Sequence, residues 1–197
     1  MDVLEAIRTR RSIGVVKQDS VPKDLIEKIL EAGNWAPSHY KTEPWKFFVL
    51  ENSARNKLGD VLVEIAKESM DDPTTEENKR KLKKTAAKPL RAPVIIAVAV
   101  TPSQKKKVIE LEEYAAVNAG IQNMLLVAHA LGLGAIWRTG KPCYHSKMLE
   151  LFRLSEEERV LGFIYIGYPD MKAPSGSRGP VEEKTVWINS DKDLENL

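Results

Sequence analysis

Two hydrophobic rhythms run along this chain, a helical one and one of short unbroken apolar runs. Val3, Leu4 and Ile7 share one face of a helix that starts near Asp2 and ends in a basic cluster. Leu25, Ile26, Ile29 and Leu30 form the stripe of a second helix, with Pro22 in its first turn and Gly33 as its stop. Trp45 to Leu50, rich in aromatic and branched residues, predicts a strand. Ser53 caps a long helix reaching about Met70, with Leu58, Val61, Leu62 and Ile65 facing inward. Val94 to Val100 is an almost unbroken apolar run and predicts a strand buried on both faces. The longest helix spans Val108 to Leu131 and is apolar most of the way round, which suits the centre of a fold or a subunit interface. Its small residues Ala115, Ala116, Ala119 and Gly120 permit close backbone approach. Gly132 ends it, and Gly134 to Trp137 begins the next strand. Ser146 opens a short helix to about Phe152, and Ser155 with Glu158 matches a capping box and predicts one more helical turn. Val160 to Tyr168 is a further buried strand.

Two stretches break the pattern. Residues 71–90 pass from acidic to basic with few apolar groups, which predicts an exposed excursion, partly helical and mobile. It reads as a solvated insertion or as a lid. From Pro169 the chain is rich in Pro, Gly and Ser, apart from Val186, Trp187 and Ile188. Such a segment cannot form a core by itself, so residues 169–197 read as a C-terminal arm whose apolar end needs a partner subunit. No repeat is evident. Helices and strands mix without strict alternation, which predicts an α+β fold, a mixed central sheet surrounded by helices, in one domain over residues 1–197.

Composition narrows the function classes. A length of 197 residues suits one domain with a substantial core. A net charge of +2 gives no strong field for nucleic acid or membrane, and the basic runs carry no interleaved aromatics. No apolar run approaches the roughly 20 residues of a membrane span, and the N-terminus lacks a signal-like apolar stretch. Cys143, the single cysteine, excludes an internal disulfide and fits a reducing, cytoplasmic setting as a packing thiol. His39, His129 and His145 lack metal-ligand spacing, so no metal site is expected.

The chemistry concentrates between Arg8 and Trp45. Arg8-Thr9-Arg10-Arg11-Ser12 sets fixed cations beside a hydroxyl, an arrangement suited to phosphate, though on charge alone it reads first as a solvated helix end. Trp35-Ala36-Pro37-Ser38-His39-Tyr40-Lys41 continues to Trp45 as an extended proline-bounded loop with aromatic, imidazole and ammonium groups, suited to a flat heterocycle. Phosphate and heterocycle together suggest a nucleotide-like cofactor. Trp35 lines a substrate or packs in the core; Trp45, opening a strand, reads as core. Arg138, at the end of a buried strand, is an expensive cation to bury without an anionic partner.

In order along the chain, Arg10-Arg11-Ser12, Ala36-Pro37-Ser38, Glu43-Pro44-Trp45, Gly132-Leu133-Gly134 and Ile136-Trp137-Arg138 resemble the FMN-dependent nitroreductase family over nearly the whole length. The resemblance implies an obligate homodimer interlocked by central helices and an exchanged C-terminal arm, with two FMN sites at the interface. It implies that Arg10, Arg11 and Ser12 hold the phosphate, ribityl chain and pyrimidine end. Pro37, Ser38, His39 and Lys41 then reach the flavin from the other subunit, and Trp137, Arg138 and Thr139 run along the ring and phosphate. His39 is implied as a hydrogen-bond donor; Lys41 donates to a flavin carbonyl or faces solvent. Lys172 or Arg178 would add a phosphate contact. The flavin, not a catalytic triad, would carry the chemistry. Hydride would pass from NADH or NADPH through flavin N5 to a nitroaromatic, quinone or similar small-molecule electrophile, with ping-pong kinetics. Two departures stand out: Gly14 occupies the place of a lysine near flavin N1, with Lys17 the nearest cation, and Glu43 replaces a glutamine. A flavin-binding or sensing protein, or a flavin reductase of an enone or halogenated aromatic, is the alternative on the same fold.

Overall fold

A computed structural model describes residues 1–195 of the chain. Its order is α1 (Val3–Thr9), α2 (Lys23–Asn34), β1 (Trp45–Glu51), α3 (Ala54–Lys67), α4 (Glu76–Ala86), β2 (Val94–Val100), α5 (Glu110–Ala130), β3 (Gly134–Arg138), α6 (Ser146–Phe152), β4 (Arg159–Gly167) and α7 (Asp191–Glu195), joined by turns. The strands form a sheet in the order β1-β2-β4-β3. Every pair in it is antiparallel, where a mixed sheet was expected. The α5 crossover does send β2 and β3 in the same direction, but β4 lies between them, so no two parallel strands touch.

The alternation of β2 divides the core. Val94, Ile96, Val98 and Val100 join Ile29, Ile121 and Met124 on the side of α2 and α5. Ile95 and Ala97 join Leu58, Met148 and Phe152 on the side of α3 and α6. Two buried faces account for the unbroken apolar run of this strand.

Gly33 does not stop α2; the helix continues to Asn34. A Cβ at Gly33 would lie 3.0 Å from Met124 and Phe47, and one at Gly120 would lie 3.0 Å from the Gly33 carbonyl. The two glycines are the point where α2 and α5 meet backbone to backbone. The first helix starts beside Asp2 as expected, and the Asp2 carboxylate caps it, accepting from Glu5 N at 2.9 Å. Ser53 precedes α3 without a side-chain cap. Glu158 does accept from Ser155 N at 2.6 Å, but the segment forms a turn and not a helix, because Arg159 already enters β4.

Residues 71–90 form α4, which has no buried residue, followed by a tight turn in which Pro89 is buried. The helix is docked nonetheless: a Cβ on Gly59 of α3 would meet the Ala86 carbonyl at 2.5 Å. The chain between α1 and α2 runs beside the edge strand, with Ile13 N donating to Ala135 O at 3.0 Å and Lys17 N to Tyr168 O at 2.8 Å. Gly134 and Gly167 leave room there for Ile13 and Val16.

Several apolar groups face outward. Val3, Leu4 and Ile7 of α1, Leu111 of α5, and Val186, Trp187 and Ile188 of the arm are all exposed, Trp187 by 80%. No helix among the described residues is long and apolar enough to cross a membrane.

Candidate cofactor site

The arginine cluster sits where α1 ends against α5 and the arm. Arg8, Arg10, Arg11 and Arg178 line a cavity of about 440 Å³ with Gln122, Gly176 and Ser177, and no carboxylate lines it. Of Lys172 and Arg178, the second reaches this cavity. Arg11 is held rigidly: its Nη1 donates to the carbonyls of Arg8 and Arg10 at 2.7 and 2.8 Å, while its buried Nε has no partner. Gly176 lies flat on that guanidinium, and a Cβ there would overlap it. Burial, then the charges of Arg11 and Arg178, push the Arg10 guanidinium below its ordinary value. Burial, then Arg10 and Arg11, likewise lower His129, with Glu5 opposing. Like charges gathered without a counter-ion raise the energy of the fold, and an anion relieves that repulsion. Ser12 is exposed and does not line this cavity.

Arg138 and Thr139 line a second, smaller cavity of about 210 Å³. The pleat points Arg138 and Trp137 to opposite faces of the sheet. Trp137 packs into the α5 side of the core, over Gly162, where a Cβ would overlap its Nε1. Ala135 O points to the outer edge, accepting from Ile13 N, and the strand alternation turns Trp137 N–H and C=O to the same edge. Arg138 turns to the α3 side, 5.2 Å over the Tyr165 ring, its buried Nε unpartnered. Its Nη2 also stands 3.7 Å from where a Gly14 Cβ would be. Lys88 and Arg91 line the same cavity, again with no carboxylate. Burial raises Tyr165, against the pull of Arg138 and Arg91. Sequence reasoning missed Lys88 and Arg91; the available signal was a pair of cations bracketing Pro89-Leu90 just before a buried strand. The exposed excursion therefore ends in the candidate site.

The loop from Trp35 is not extended as expected. Residues His39–Lys41 make a tight turn, and Tyr40, Lys41 and Glu43 adopt left-handed backbone with φ of 57°, 50° and 50°. Each such residue costs on the order of 1 kcal/mol. No glycine marks these positions, so the sequence hid the turn. Ser38 is spent on holding it: its Oγ accepts from Thr42 N and Glu43 N, both at 3.1 Å. His39 Nδ1 lies 2.5 Å from Glu112 of α5 and its ring stacks on Tyr40. Pro37, Ser38 and His39 line a shallow cavity with Ala115, Ala116 and Ala119. Trp35 is 79% exposed and is not a core residue; with Lys41 and Glu43 it lines a surface pocket of about 250 Å³. Trp45 packs against the core as expected and donates to Asn34 at 2.8 Å.

Within one chain the three groups line separate cavities. The loop grips Glu112 and the arginine end grips His129, through Thr9 at 2.8 Å. Seventeen residues of helix separate the two, about 25 Å at about 1.5 Å per residue. No three potential metal ligands are grouped among the described residues.

The chain is similar to several known proteins. YfhC of Bacillus subtilis, named as an NAD(P)H nitroreductase, is 32% identical over 181 residues, covering 91% of each chain. A nitroreductase-like protein of Bacillus cereus superimposes with a TM-score of 0.82 at 32% identity, covering 96% of this chain and 97% of that one. A nitroreductase-type protein of Desulfovibrio desulfuricans, solved in complex with FMN, gives 0.71 at 30% identity, covering 96% and 98%. The profile of the nitroreductase family matches residues 7–168. With Arg8, Arg10, Arg11, the docked loop and the edge strand inside the matched span, and Arg178 of the arm beyond it, the chain belongs to the nitroreductase family of oxidoreductases.

Proposed function

We propose that this protein is an FMN-dependent NAD(P)H oxidoreductase that works as a homodimer. The observation that carries the reading is the pair of carboxylate-free cationic cavities, one at Arg10, Arg11 and Arg178, the other at Arg138, Lys88 and Arg91, with unpartnered buried nitrogens on Arg11 and Arg138. The donor set fits FMN. Arg10, Arg11 and Arg178 would hold the phosphate, with guanidinium forks matched to its oxygens. The free backbone edge at Trp137 and the exposed Ser12 and Thr139 supply polar partners along the ring and ribityl chain. Arg138 brings its charge to the space left open by Gly14, and so offsets the missing lysine. Pro37, Ser38, His39 and Lys41 would approach from the partner subunit, since in their own chain they line cavities separate from those of the arginines. Ser38 there shapes the loop; His39 and the exposed Lys41 remain available to touch the cofactor.

When bound, FMN supplies hydride acceptance and release at N5, first with NADH or NADPH and then with an acceptor such as a nitroaromatic or quinone. The chain's part is to bind, orient and charge the cofactor. The test is a visible absorption spectrum of the purified protein with and without dithionite, followed by steady-state kinetics with NADH and NADPH against an acceptor panel. A yellow protein bleached by dithionite, with parallel double-reciprocal lines, supports the reading. A colourless protein that takes up no added FMN refutes it, and a yellow protein without turnover favours the flavin-binding alternative.

A further inference from the structure

Glu113 is the single buried charged residue among the described residues, and the proposed chemistry gives it no task. Its two oxygens are both engaged: Oε1 accepts from Thr42 Oγ1 at 2.6 Å and Oε2 from Ser103 N at 3.0 Å. The hydrogen-bond directions can be assigned from the carboxylate outward. Ser38 Oγ already accepts two backbone N–H groups, so its own hydrogen is directed to Thr42 Oγ1, 3.0 Å away. Thr42 then donates to Glu113, which can only accept. The chain Ser38–Thr42–Glu113 thus runs one way, from the loop into the first turn of α5. Beside it, Glu112 holds His39. The two neighbouring carboxylates therefore grip the loop on either side of the left-handed Tyr40 and Lys41. A strained turn without glycine persists only where its surroundings over-determine it.

We propose that Glu113 is a positioning residue for the cofactor loop: acting through Thr42 and Ser38, it sets where Pro37, Ser38 and His39 stand. The inference rests on the reading above that this loop meets the flavin. It is tested by the FMN dissociation constant, read from quenching of flavin fluorescence, in the wild type, Thr42→Val and Thr42→Ser. Valine keeps the shape and removes the donor; serine keeps the donor. Losing a hydrogen bond to a charged acceptor lowers FMN affinity roughly tenfold in Thr42→Val, and Thr42→Ser returns it to within about twofold of the wild type. Far-UV circular dichroism unchanged in all three separates positioning from a loss of fold. Equal FMN affinity in wild type and Thr42→Val overturns the proposal while leaving the flavoprotein reading intact. A wild type that takes no FMN overturns both. If Thr42→Val does not fold, Thr42→Ala decides by the same two outcomes, because it removes the same donor to Glu113 without adding bulk.

Discussion

Arg11 shows how the site is built at the scale of a residue. Two backbone carbonyls and the flat face of Gly176 fix its guanidinium before any ligand arrives. Ordering cost is thus met in folding, and binding gains from it. Arg10→Ala and Arg11→Ala should each weaken FMN by roughly 10- to 100-fold, the range for a charge-assisted hydrogen bond, with little change in thermal midpoint; titration of the apoprotein with FMN checks this. Cys143 allows a pH prediction. Burial raises its thiol from 9.0 to about 11. The folded state then keeps a proton that the unfolded state has released, so stability present below pH 9 is lost as pH rises toward 11. The loss is on the order of 2 kcal/mol. Urea unfolding of wild type and Cys143→Ala across pH 8 to 11 should give a steeper alkaline decline in the wild type. Parallel declines would show that the thiol does not carry it.

Among elements, α5 does most to set the geometry. Its sides serve different neighbours: Ile121 and Met124 the sheet, Gly120 the α2 backbone, Glu112 and Glu113 the loop, Gln122 the arginine cavity. Serving all sides makes it apolar nearly all round. Gly120→Ala would push a methyl to 3.0 Å of the Gly33 carbonyl. Rigid backbone cannot yield as a side chain can, so a loss of about 1–3 kcal/mol is expected in urea denaturation. FMN affinity should fall with it, because α2 leads directly into the loop. The edge strand β3 divides its labour by the pleat, sending Trp137 into the core and Arg138 to the cavity.

For the whole molecule, the decisive facts are distance and exposure. The α5 anchors of the loop and of the arginine end, Glu112 and His129, stand about 25 Å apart, and Leu111, Ile7, Trp187 and Ile188 lie bare. A second copy with α5 running the opposite way would cover the apolar groups and bring one chain's loop to the other's arginines. Sedimentation equilibrium should therefore give twice 22.1 kDa, about 44 kDa. Truncation after Gly179, which spares Gly176 and Arg178, should lower the dimer's stability and leave the arginine cavity in place. A monomeric wild type that binds FMN tightly would refute this arrangement.

Sequence alone determined the elements and the chemistry. Period and apolar run length are local properties, so β2, β4 and α5 lie close to where the pattern puts them; Arg10 and Arg11 read by charge as a solvated helix end, and only the ordered set of motifs made them candidates for phosphate. What only the tertiary structure decided depends on which residues meet. Gly33 reads as a helix stop until Gly120 is packed against it. The left-handed Tyr40, Lys41 and Glu43 carry no glycine signal, because the carboxylates that hold their turn lie some 70 residues away. Lys88 and Arg91 join Arg138 only once β2 and β3 are placed in one sheet. Trp137 and Arg138, adjacent in sequence, part company because a strand sends neighbours to opposite faces. Local pattern specifies what a segment can become; long-range contact specifies what it faces.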